Sequence, residues 1–412
     1  MRTAITGGLV LDGGSFTPLT VHLADGTVTG TDTTPPGPDE TAVDAPGTYL
    51  VPGLIDAHYH LVSRSSTDPT PRDLTESVLE GVRNAGDTLA PGVTTVRDCG
   101  CRTIAVHSVR AAIRDGLVSG PDSVTAGRNP TSSAAPPHWR NVVADGPDAL
   151  RAAVRSQVEA GAQWVKLILA HAESPTRWDE VTVFLSDEEI AAAVDEAHRL
   201  GVLVGAHCEG WEVAERAVRL GLDSLDHAPL LSDRAVAGMA DRAMTYTPTL
   251  WAFSDDSGVD LDALDDAGRE RVHAWREEHR RSLRRALAAG VPIAAGSDAA
   301  STLTGPGVLA NELVALVAAG LRPGQALTAA TSTGAALIGR AGDLGRIAPG
   351  FQADLVALAS DPLTDIRAVR SPVWVRQRGL LRFTAGHGLL TPHRRVDADA
   401  AQAADAAVVA RW

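Results

Sequence analysis

Short apolar runs separated by turn residues mark both ends of the chain. In residues 1–53 the runs are TAITGGLVLDGG, LTVHLADGTVTG and TYLVPG, a pattern typical of β-strands joined by tight turns. The stretch TDTTPPGPDETAVDAPG has the composition of a loop, and we predict no helix in this region. Residues 345–386 return to the same pattern. We therefore predict a small flanking β-sandwich domain built from both chain ends.

Between residues 54 and 344 the pattern changes to apolar strands that alternate with amphipathic helices. The predicted strands are GLIDAH, VTTVRD, DSVTAG, WVKLIL, VLVGAH, DSLDH, MTYTPTL and VPIAAGSD. One predicted helix, DEEIAAAVDEAHRLG, has Ser186 as N-cap, Glu189 as capping-box partner and Gly201 beyond its end. Eight strands alternating with helices favour an α/β fold, a (β/α)8 TIM-type barrel. A doubly wound sheet would carry a Gly-rich phosphate loop after its first strand, and the sequence has none there.

Composition and charge narrow the choice of partners and compartment. The chain is 44% hydrophobic and 21% charged, as in soluble globular proteins. Its net charge of −14, with scattered basic residues, argues against nucleic acid or an anionic membrane surface as a partner. The N-terminus lacks the apolar core of a signal peptide, and no run could span a bilayer. The Ala/Asp-rich tail, residues 387–412, is assigned no function.

Three cysteines, Cys99, Cys101 and Cys208, are too few for a disulfide framework. We therefore expect free thiols and a cytoplasmic protein. The apolar helix faces serve the barrel first, so the pattern allows a homo-oligomer without requiring one.

Lys166 is the only lysine in the sequence, because Lys and Arg together number 37 and 37 − 1 = 36 are arginine. It lies within the apolar run QWVKLIL, which has the pattern of a buried strand. An unpaired ammonium group in such a strand would be strongly unfavourable. An amine can lose its proton, whereas a guanidinium in practice cannot. The position therefore indicates a functional amine.

Other polar side chains lie at the ends of the predicted strands. Alternation along the first strand places His58 and His60 on one side. A barrel brings the C-terminal ends of its strands to one face, so groups distant in sequence converge there. The predicted metal ligands are His58, His60, Lys166, His207, His227 and Asp298.

These residue types fit one chemistry. A neutral Lys166 amine can take up CO2 and form a carbamate, which can bridge two metal ions. Two divalent ions lower the pKa of a water molecule held between them. We expect one ion on His58, His60 and Asp298, with the second on the remaining two histidines. Asp298 would also accept the proton of the attacking water and deliver it to the leaving nitrogen. The ligands suit Zn2+, with Mn2+ or Co2+ as alternatives.

The chain resembles the amidohydrolase superfamily, and more closely its imidazolonepropionase-like and prolidase-like branch. The resemblance covers residues from about 50 to 366. It rests on the motifs VPGLIDAHYH, GVTTVRDCG, WVKLI, GAHCEG, LDHA, YTPTL, AAGSDA and NELVALVAAGLRPGQALTAATSTGAALIG. The resemblance implies a binuclear zinc-type centre with carboxylated Lys166. It also implies hydrolysis of an amide bond in a small molecule, such as a dipeptide or N-acyl amino acid with a carboxylate beside that bond.

The residues expected to contact substrate are less uniform. Tyr246 matches a family tyrosine that polarises the substrate carbonyl, although a barrel-rim aromatic is the alternative. His138 lies in AGRNPTSSAAPPHW, where relatives carry a Gly-Gly-His stretch that this loop lacks. Arg128 in the same loop could bind a substrate carboxylate through two hydrogen bonds. His171 is expected to line the mouth of the site, with a solvated loop as the alternative. For Arg97 we favour an internal ion pair with Asp98.

Two other functions remain open at this point. A mononuclear cyclic-amide hydrolase or deaminase of the same superfamily generally lacks the fourth-strand lysine and often uses a glutamate soon after the fifth-strand histidine. Glu209 and Glu212 follow His207, but neither has the expected spacing. A non-catalytic binding or assembly member would usually have lost metal ligands, whereas this chain keeps all six.

Overall fold

The computed structural model describes residues 2–63, 73–101, 103–135, 141–254, 261–299 and 305–390. Its strands are β1 (Arg2–Thr6), β2 (Leu9–Asp12), β3 (Ser15–Pro18), β4 (Thr20–Ala24), β5 (Thr27–Asp32), β6 (Thr41–Asp44), β7 (Tyr49–Pro52), β8 (Leu54–Tyr59), β9 (Val93–Asp98), β10 (Asp122–Thr125), β11 (Asn129–Thr131), β12 (Asn141–Val143), β13 (Trp164–Ile168), β14 (Ala170–Ala172), β15 (Val181–Val183), β16 (Leu203–Cys208), β17 (Ser224–His227), β18 (Thr245–Thr247), β19 (Leu355–Leu358), β20 (Pro372–Gln377), β21 (Leu380–Thr384) and β22 (Gly388–Leu389).

The helices lie almost entirely between β8 and β19. They are α1 (Leu74–Leu89), α2 (Ala105–Arg114), α3 (Pro147–Glu159), α4 (Asp187–Arg199), α5 (Trp211–Arg219), α6 (Asp233–Asp241), α7 (Asp266–Ala288), α8 (Leu309–Ala319), α9 (Pro323–Ala329) and α10 (Ser332–Leu337), with two 3₁₀ turns, Leu250–Phe253 and Ile366–Arg370. In the part of the chain that the structure describes, none of these helices is long and apolar enough to cross a membrane.

Strands from both chain ends pair with each other. One sheet has the order β5-β4-β1-β6, and a second has the order β22-β21-β20-β19-β7-β2-β3. The late strand β19 pairs antiparallel with the early strand β7, and one apolar cluster that includes Ile5, Leu50 and Leu355 packs against both sheets. The predicted domain boundaries stay predictions: 1–53 plus 345–386 for the small β domain, 54–344 for the barrel and 387–412 for the tail. Residues 391–412 lie outside the described part.

One strand at the N-terminal end was not expected. β6, with the sequence TAVD, lies within the stretch predicted as a loop and pairs in parallel with β1. The prediction was wrong because this edge strand is stabilised by tertiary pairing, whereas the composition around it is that of a turn.

The middle of the chain forms two parallel sheets, ordered β10-β9-β8 and β13-β16-β17-β18. Residues alternate between two faces of each strand. On β13, Val165 and Leu167 pack in the main apolar core with helix residues, whereas Lys166 contacts Asp226 on the other face. This second face therefore carries the polar residues of the site.

The predicted eighth strand, VPIAAGSD, is not a regular strand. Its backbone bridges β18 at Tyr246–Ile293 and β8 at Tyr59–Ala299, so it connects the two sheets without a continuous ladder. Gly296 packs so closely on β8 that a Cβ there would lie 2.6 Å from the Cβ of His58. Asp298 has a positive φ of 51°, which is not a strand conformation. The backbone therefore departs from regular strand pairing here. Within the described residues, the predicted closed eight-stranded barrel is therefore not observed.

Two local predictions are confirmed. The Ser186 side chain accepts from the Glu189 backbone N–H and the Glu189 side chain accepts in return, which caps α4. All three cysteines are buried and free.

Candidate metal centre

Three side chains meet where the first parallel strand ends. β8 carries His58, and His60 follows it with a distance of 5.3 Å between ring centres. Both rings direct Nε2 toward Oδ1 of Asp298, at 3.5 Å from His58 and 3.1 Å from His60. The Asp298 backbone N–H donates to the His58 carbonyl at 2.9 Å, which fixes the turn that carries the carboxylate. The expected placement of His58 and His60 on one side is observed.

His227 joins this group through a left-handed backbone conformation. Its register partner on β16 is Cys208, which packs in the apolar core on the helix side of the sheet. Regular alternation would direct His227 to that side as well. With φ of 64°, its ring centre instead lies 4.6 Å from that of His58 and 4.7 Å from that of His207. This conformation costs a non-glycine residue roughly 1–2 kcal/mol, and such strain is typical of functional sites.

Outer hydrogen bonds determine which imidazole nitrogen faces the site. Nδ1 of His60 lies 2.8 Å from the Gly100 carbonyl oxygen, which can only accept, so Nδ1 carries the proton. Nδ1 of His227 lies 2.7 Å from the Thr249 hydroxyl. That hydroxyl donates its single proton to the Pro248 carbonyl at 2.7 Å and therefore accepts from His227. In the neutral form of either ring Nε2 then keeps its lone pair, which is the form that binds a metal ion.

Lys166 lies beside this histidine group. It is 2% exposed, and its Nζ contacts Oδ2 of Asp226, which is completely buried. The same oxygen is 3.5 Å from Nδ1 of His58. Asp226 therefore links the only lysine to a predicted metal ligand. Its position at the end of the sixth strand was visible in the sequence, but we assigned it no role.

Arg97 forms an internal ion pair, but its partner is Asp226 and not Asp98. Its Nε donates to the Ala57 carbonyl at 2.7 Å. Asp98 instead accepts the backbone N–H of Leu61 at 2.8 Å. The predicted partner was wrong because neighbouring residues of a strand point to opposite faces. Arg97 is therefore a buried support of Asp226.

Burial sets the protonation of the site. It lowers the pKa of His58 to about 4 and holds the pKa of His207 and of His227 well below the ordinary value. Burial opposes ionisation of Asp298, but the hydrogen bond from His60 and the surrounding imidazoles hold the pKa of Asp298 below its ordinary range. The site thus offers neutral imidazole nitrogens together with a carboxylate anion.

This donor set fits divalent metal ions. Among the described residues, three groups of three side chains have donor atoms that all lie within 4.8 Å of one another: His58, Cys99 and Asp226; His58, His227 and Asp298; and His171, His207 and Glu209. Neutral imidazoles and carboxylates are ligands of Zn2+ and similar ions.

Tyr246 lies on the other face of its strand. On β18 it is in register with Leu225, which packs in the helix-facing core. Its hydroxyl donates to the carbonyl oxygens of His227 and Ala228 at 3.0 Å, and burial raises the pKa of Tyr246 well above its ordinary value. This placement supports the turn that carries His227. A tyrosine on the helix-facing side of the sheet is poorly oriented to contact a substrate carbonyl. That contact stays a prediction.

The other expected substrate residues differ in their placement. His171 lies at the site, with its ring centre 5.6 Å from that of His207 and its Nδ1 3.2 Å from Oε2 of Glu209. Glu209, whose spacing from His207 does not fit the mononuclear alternative, is 4% exposed. The backbone N–H of Arg128 donates to the Gln157 side chain at 2.9 Å, and its contact with substrate stays a prediction. His138 lies outside the described residues.

His279 should make the fold sensitive to acid. Its Nε2 lies 3.0 Å from the His227 carbonyl oxygen, and burial lowers the pKa of His279 from 6.5 to about 4. The unfolded chain binds a proton near pH 6.5 but the folded chain does not, so stability falls as the pH drops from 6.5 toward 4. We expect His279→Gln to reduce the loss of unfolding free energy between pH 7 and pH 5 by about 2 kcal/mol. Urea denaturation with a chelator present measures this loss, and equal losses in both proteins would contradict a buried neutral His279.

Comparison with known proteins places this geometry in a family. Residues 49–377 match the Amidohydrolase family. Ochratoxinase of Aspergillus niger is 28% identical over 358 residues, which cover 78% of this chain and 72% of that protein. Imidazolonepropionase of Ralstonia nicotianae is 30% identical over 192 residues, 45% of this chain and 42% of that protein.

Solved structures agree with this assignment. The crystal structure of a Xaa-Pro dipeptidase with bound methionine in the active site superimposes with a TM-score of 0.82 at 25% identity, over 92% of this chain and 99% of that chain. These neighbours imply a TIM-barrel-type fold. They also support a hydrolase that acts on carbon–nitrogen bonds. The chain belongs to the amidohydrolase family.

Proposed function

We propose that the protein uses two divalent metal ions, bridged by a carboxylated Lys166, to hydrolyse an amide bond in a small carboxylate-bearing molecule. A dipeptide or an N-acyl amino acid fits this description. The observation that carries the proposal is the convergence of neutral imidazoles and the Asp298 carboxylate beside the only lysine of the chain. The Xaa-Pro dipeptidase and ochratoxinase similarities support the same class of reaction.

The chain offers ligands for both ions. His58, His60 and Asp298 would hold the first ion, and His207 and His227 the second. Lys166 would bridge them as a carbamate, which forms when the deprotonated amine makes an N–C bond to CO2 and releases one proton. Bound there, divalent ions polarise a substrate carbonyl and lower the pKa of a water molecule. Zn2+ suits these ligands, and Mn2+ or Co2+ are alternatives.

In this proposal Asp298 moves the proton. Its carboxylate is anionic and is held by His60 at 3.1 Å, so it can accept a proton from the attacking water. The same group would then pass the proton to the leaving nitrogen. His171, at the edge of the histidine group, would bind the substrate carboxylate, with Arg128 and His138 as further candidates.

One observation favours a second candidate function, a cyclic-amide hydrolase with a single metal ion. Glu209 is buried with Oε1 3.7 Å from Nε2 of His207, so a glutamate does lie beside the fifth-strand histidine. The imidazolonepropionase similarity agrees with this alternative over less than half of the chain.

A hydrolysis screen separates these candidates. The zinc-loaded protein is tested against dipeptides, N-acyl amino acids and cyclic amides, with Lys166→Ala as the blank. Turnover of a dipeptide or an N-acyl amino acid that is absent from the blank supports the proposal. Turnover of cyclic amides alone favours the single-ion alternative. Equal turnover by the wild-type protein and the blank would contradict the proposal.

A further inference from the structure

Glu312 is a buried carboxyl group that lies outside the group of metal ligands. It is located in the first turn of α8 and is completely buried. Its Oε1 accepts the backbone N–H of Leu250 at 3.0 Å, and its Oε2 accepts that of Trp251 at 2.6 Å. Both carboxylate oxygens are thus used to hold two successive N–H groups at the start of the 3₁₀ turn that follows β18.

The turn held by Glu312 is connected to His227 by a hydrogen bond that Thr249 accepts. Thr249 immediately precedes these two N–H groups and has φ of 53°, an unusual conformation for a β-branched residue. Its hydroxyl accepts the Nδ1 proton of His227 at 2.7 Å. The orientation of the His227 ring therefore depends on the position of Thr249, which in turn depends on the two hydrogen bonds to Glu312.

We propose that Glu312 is a positioning residue for the second metal ion, acting through Thr249 to keep Nε2 of His227 directed into the site. This inference rests on the proposed function, in which His227 is a ligand of that ion. Glu312 is not one of the predicted ligands, and its proposed effect passes through the backbone of Thr249, Leu250 and Trp251.

The chemistry of the contact explains why a carboxyl group is needed: burial raises the pKa of Glu312 to about 8, and the two N–H groups oppose that rise by favouring the anion. Two adjacent N–H groups require two acceptor atoms side by side, which a carboxylate provides in one plane. A glutamine of the same size has one oxygen and one NH2 group, so one N–H would face another donor. An apolar residue would leave both N–H groups buried without an acceptor, which is strongly unfavourable.

The test is the metal affinity of Glu312→Gln measured separately for each ion. Apo protein is titrated with Zn2+ against a chromophoric chelator, and bound metal is counted after gel filtration. We expect the affinity for the second zinc ion to fall roughly 10- to 100-fold, as found for residues that orient metal ligands. The affinity for the first zinc ion should be unchanged. A merely structural role would lower the melting temperature without discriminating between the ions, and equal effects on both ions would overturn the proposal.

Asp354→Asn is the matched control. Asp354 is also a buried carboxylate that accepts a backbone N–H, from Arg378 at 2.8 Å, but it lies beside β19 and not at the metal centre. We expect it to lower stability and to leave both zinc affinities unchanged. If Asp354→Asn weakened the second ion as much as Glu312→Gln does, the effect would be general destabilisation and the proposal would fail.

Two variants of Thr249 keep the test decisive if Glu312→Gln does not fold. Thr249→Val removes the acceptor and should weaken the second ion, whereas Thr249→Ser retains the hydroxyl and should preserve it. Unchanged affinity in Thr249→Val would overturn the proposal. If the wild-type protein binds no zinc, the proposed function itself fails. The inference about Glu312 is then decided by apo crystal structures, where an unchanged Thr249–His227 contact in Glu312→Gln would refute it.

Discussion

Replacing Lys166 by alanine should abolish hydrolysis and reduce bound metal below two ions per chain. We expect activity to fall by roughly 1,000-fold or more, because the bridge between the ions is lost and about 4 kcal/mol of transition-state stabilisation goes with it. The fold should survive, since Asp226 keeps its ion pair with Arg97 when the lysine is removed. Metal analysis and steady-state kinetics against the first substrate found in the screen measure both effects.

Two controls separate the amine from its charge. Lys166→Arg keeps a cation beside Asp226 but cannot form a carbamate, so it should be as inactive as the alanine variant. Short-chain carboxylic acids should partly restore metal binding to Lys166→Ala by supplying the missing bridging carboxylate. Full metal occupancy in Lys166→Ala, without any added acid, would show that Lys166 is not the bridge.

The sequence was sufficient for the side chains that bear recognisable chemistry. His58, His60, Lys166, His207 and His227 each end or occupy an apolar strand, and parallel strands bring their C-terminal ends together whatever their separation in sequence. This general geometry made it possible to predict their convergence without any knowledge of distances. The same reasoning predicted the α4 capping box, which depends on residues only three positions apart.

The side of each strand on which a side chain lies could have been predicted more fully from the sequence. Thr245 and Thr247 flank Tyr246, so strict alternation already separates the tyrosine from them. We followed the resemblance at this position, and the structure places Tyr246 toward the helices. His227 presents the opposite case, because its ring reaches the site through a positive φ that departs from alternation. No pattern of polar and apolar residues marks such a turn.

The supporting residues could not be derived from local sequence. Arg97 and Asp226 are 129 residues apart, and the choice of Asp226 over Asp98 depends on which strands become neighbours. Glu312 is part of a helix that looks like an ordinary amphipathic segment, and its importance follows only from two backbone N–H groups some 60 residues earlier. The missing information in each case is tertiary pairing, which the sequence pattern leaves undetermined.

Asp298→Asn should retain the fold and lose catalysis. Asparagine has nearly the same shape and keeps an oxygen at the position of Oδ1, which lies 3.1 Å from Nε2 of His60. It cannot accept the proton of the attacking water, and we expect the rate constant to fall roughly 100- to 10,000-fold, the usual contribution of a general acid–base group. The measurement is kcat under saturating zinc, with bound metal counted in the same sample.

The metal count distinguishes proton transfer from ligation. Asp298 is expected both to bind the first ion and to carry the proton, so a loss of rate with metal fully bound assigns the defect to proton transfer. If the first ion is lost instead, ligation is the dominant role and raising the zinc concentration should recover activity. A less than tenfold change in kcat with both ions bound would remove Asp298 from the proton path. Another group at the site would then have to carry the proton, and Glu209 beside His207 is one carboxylate to examine.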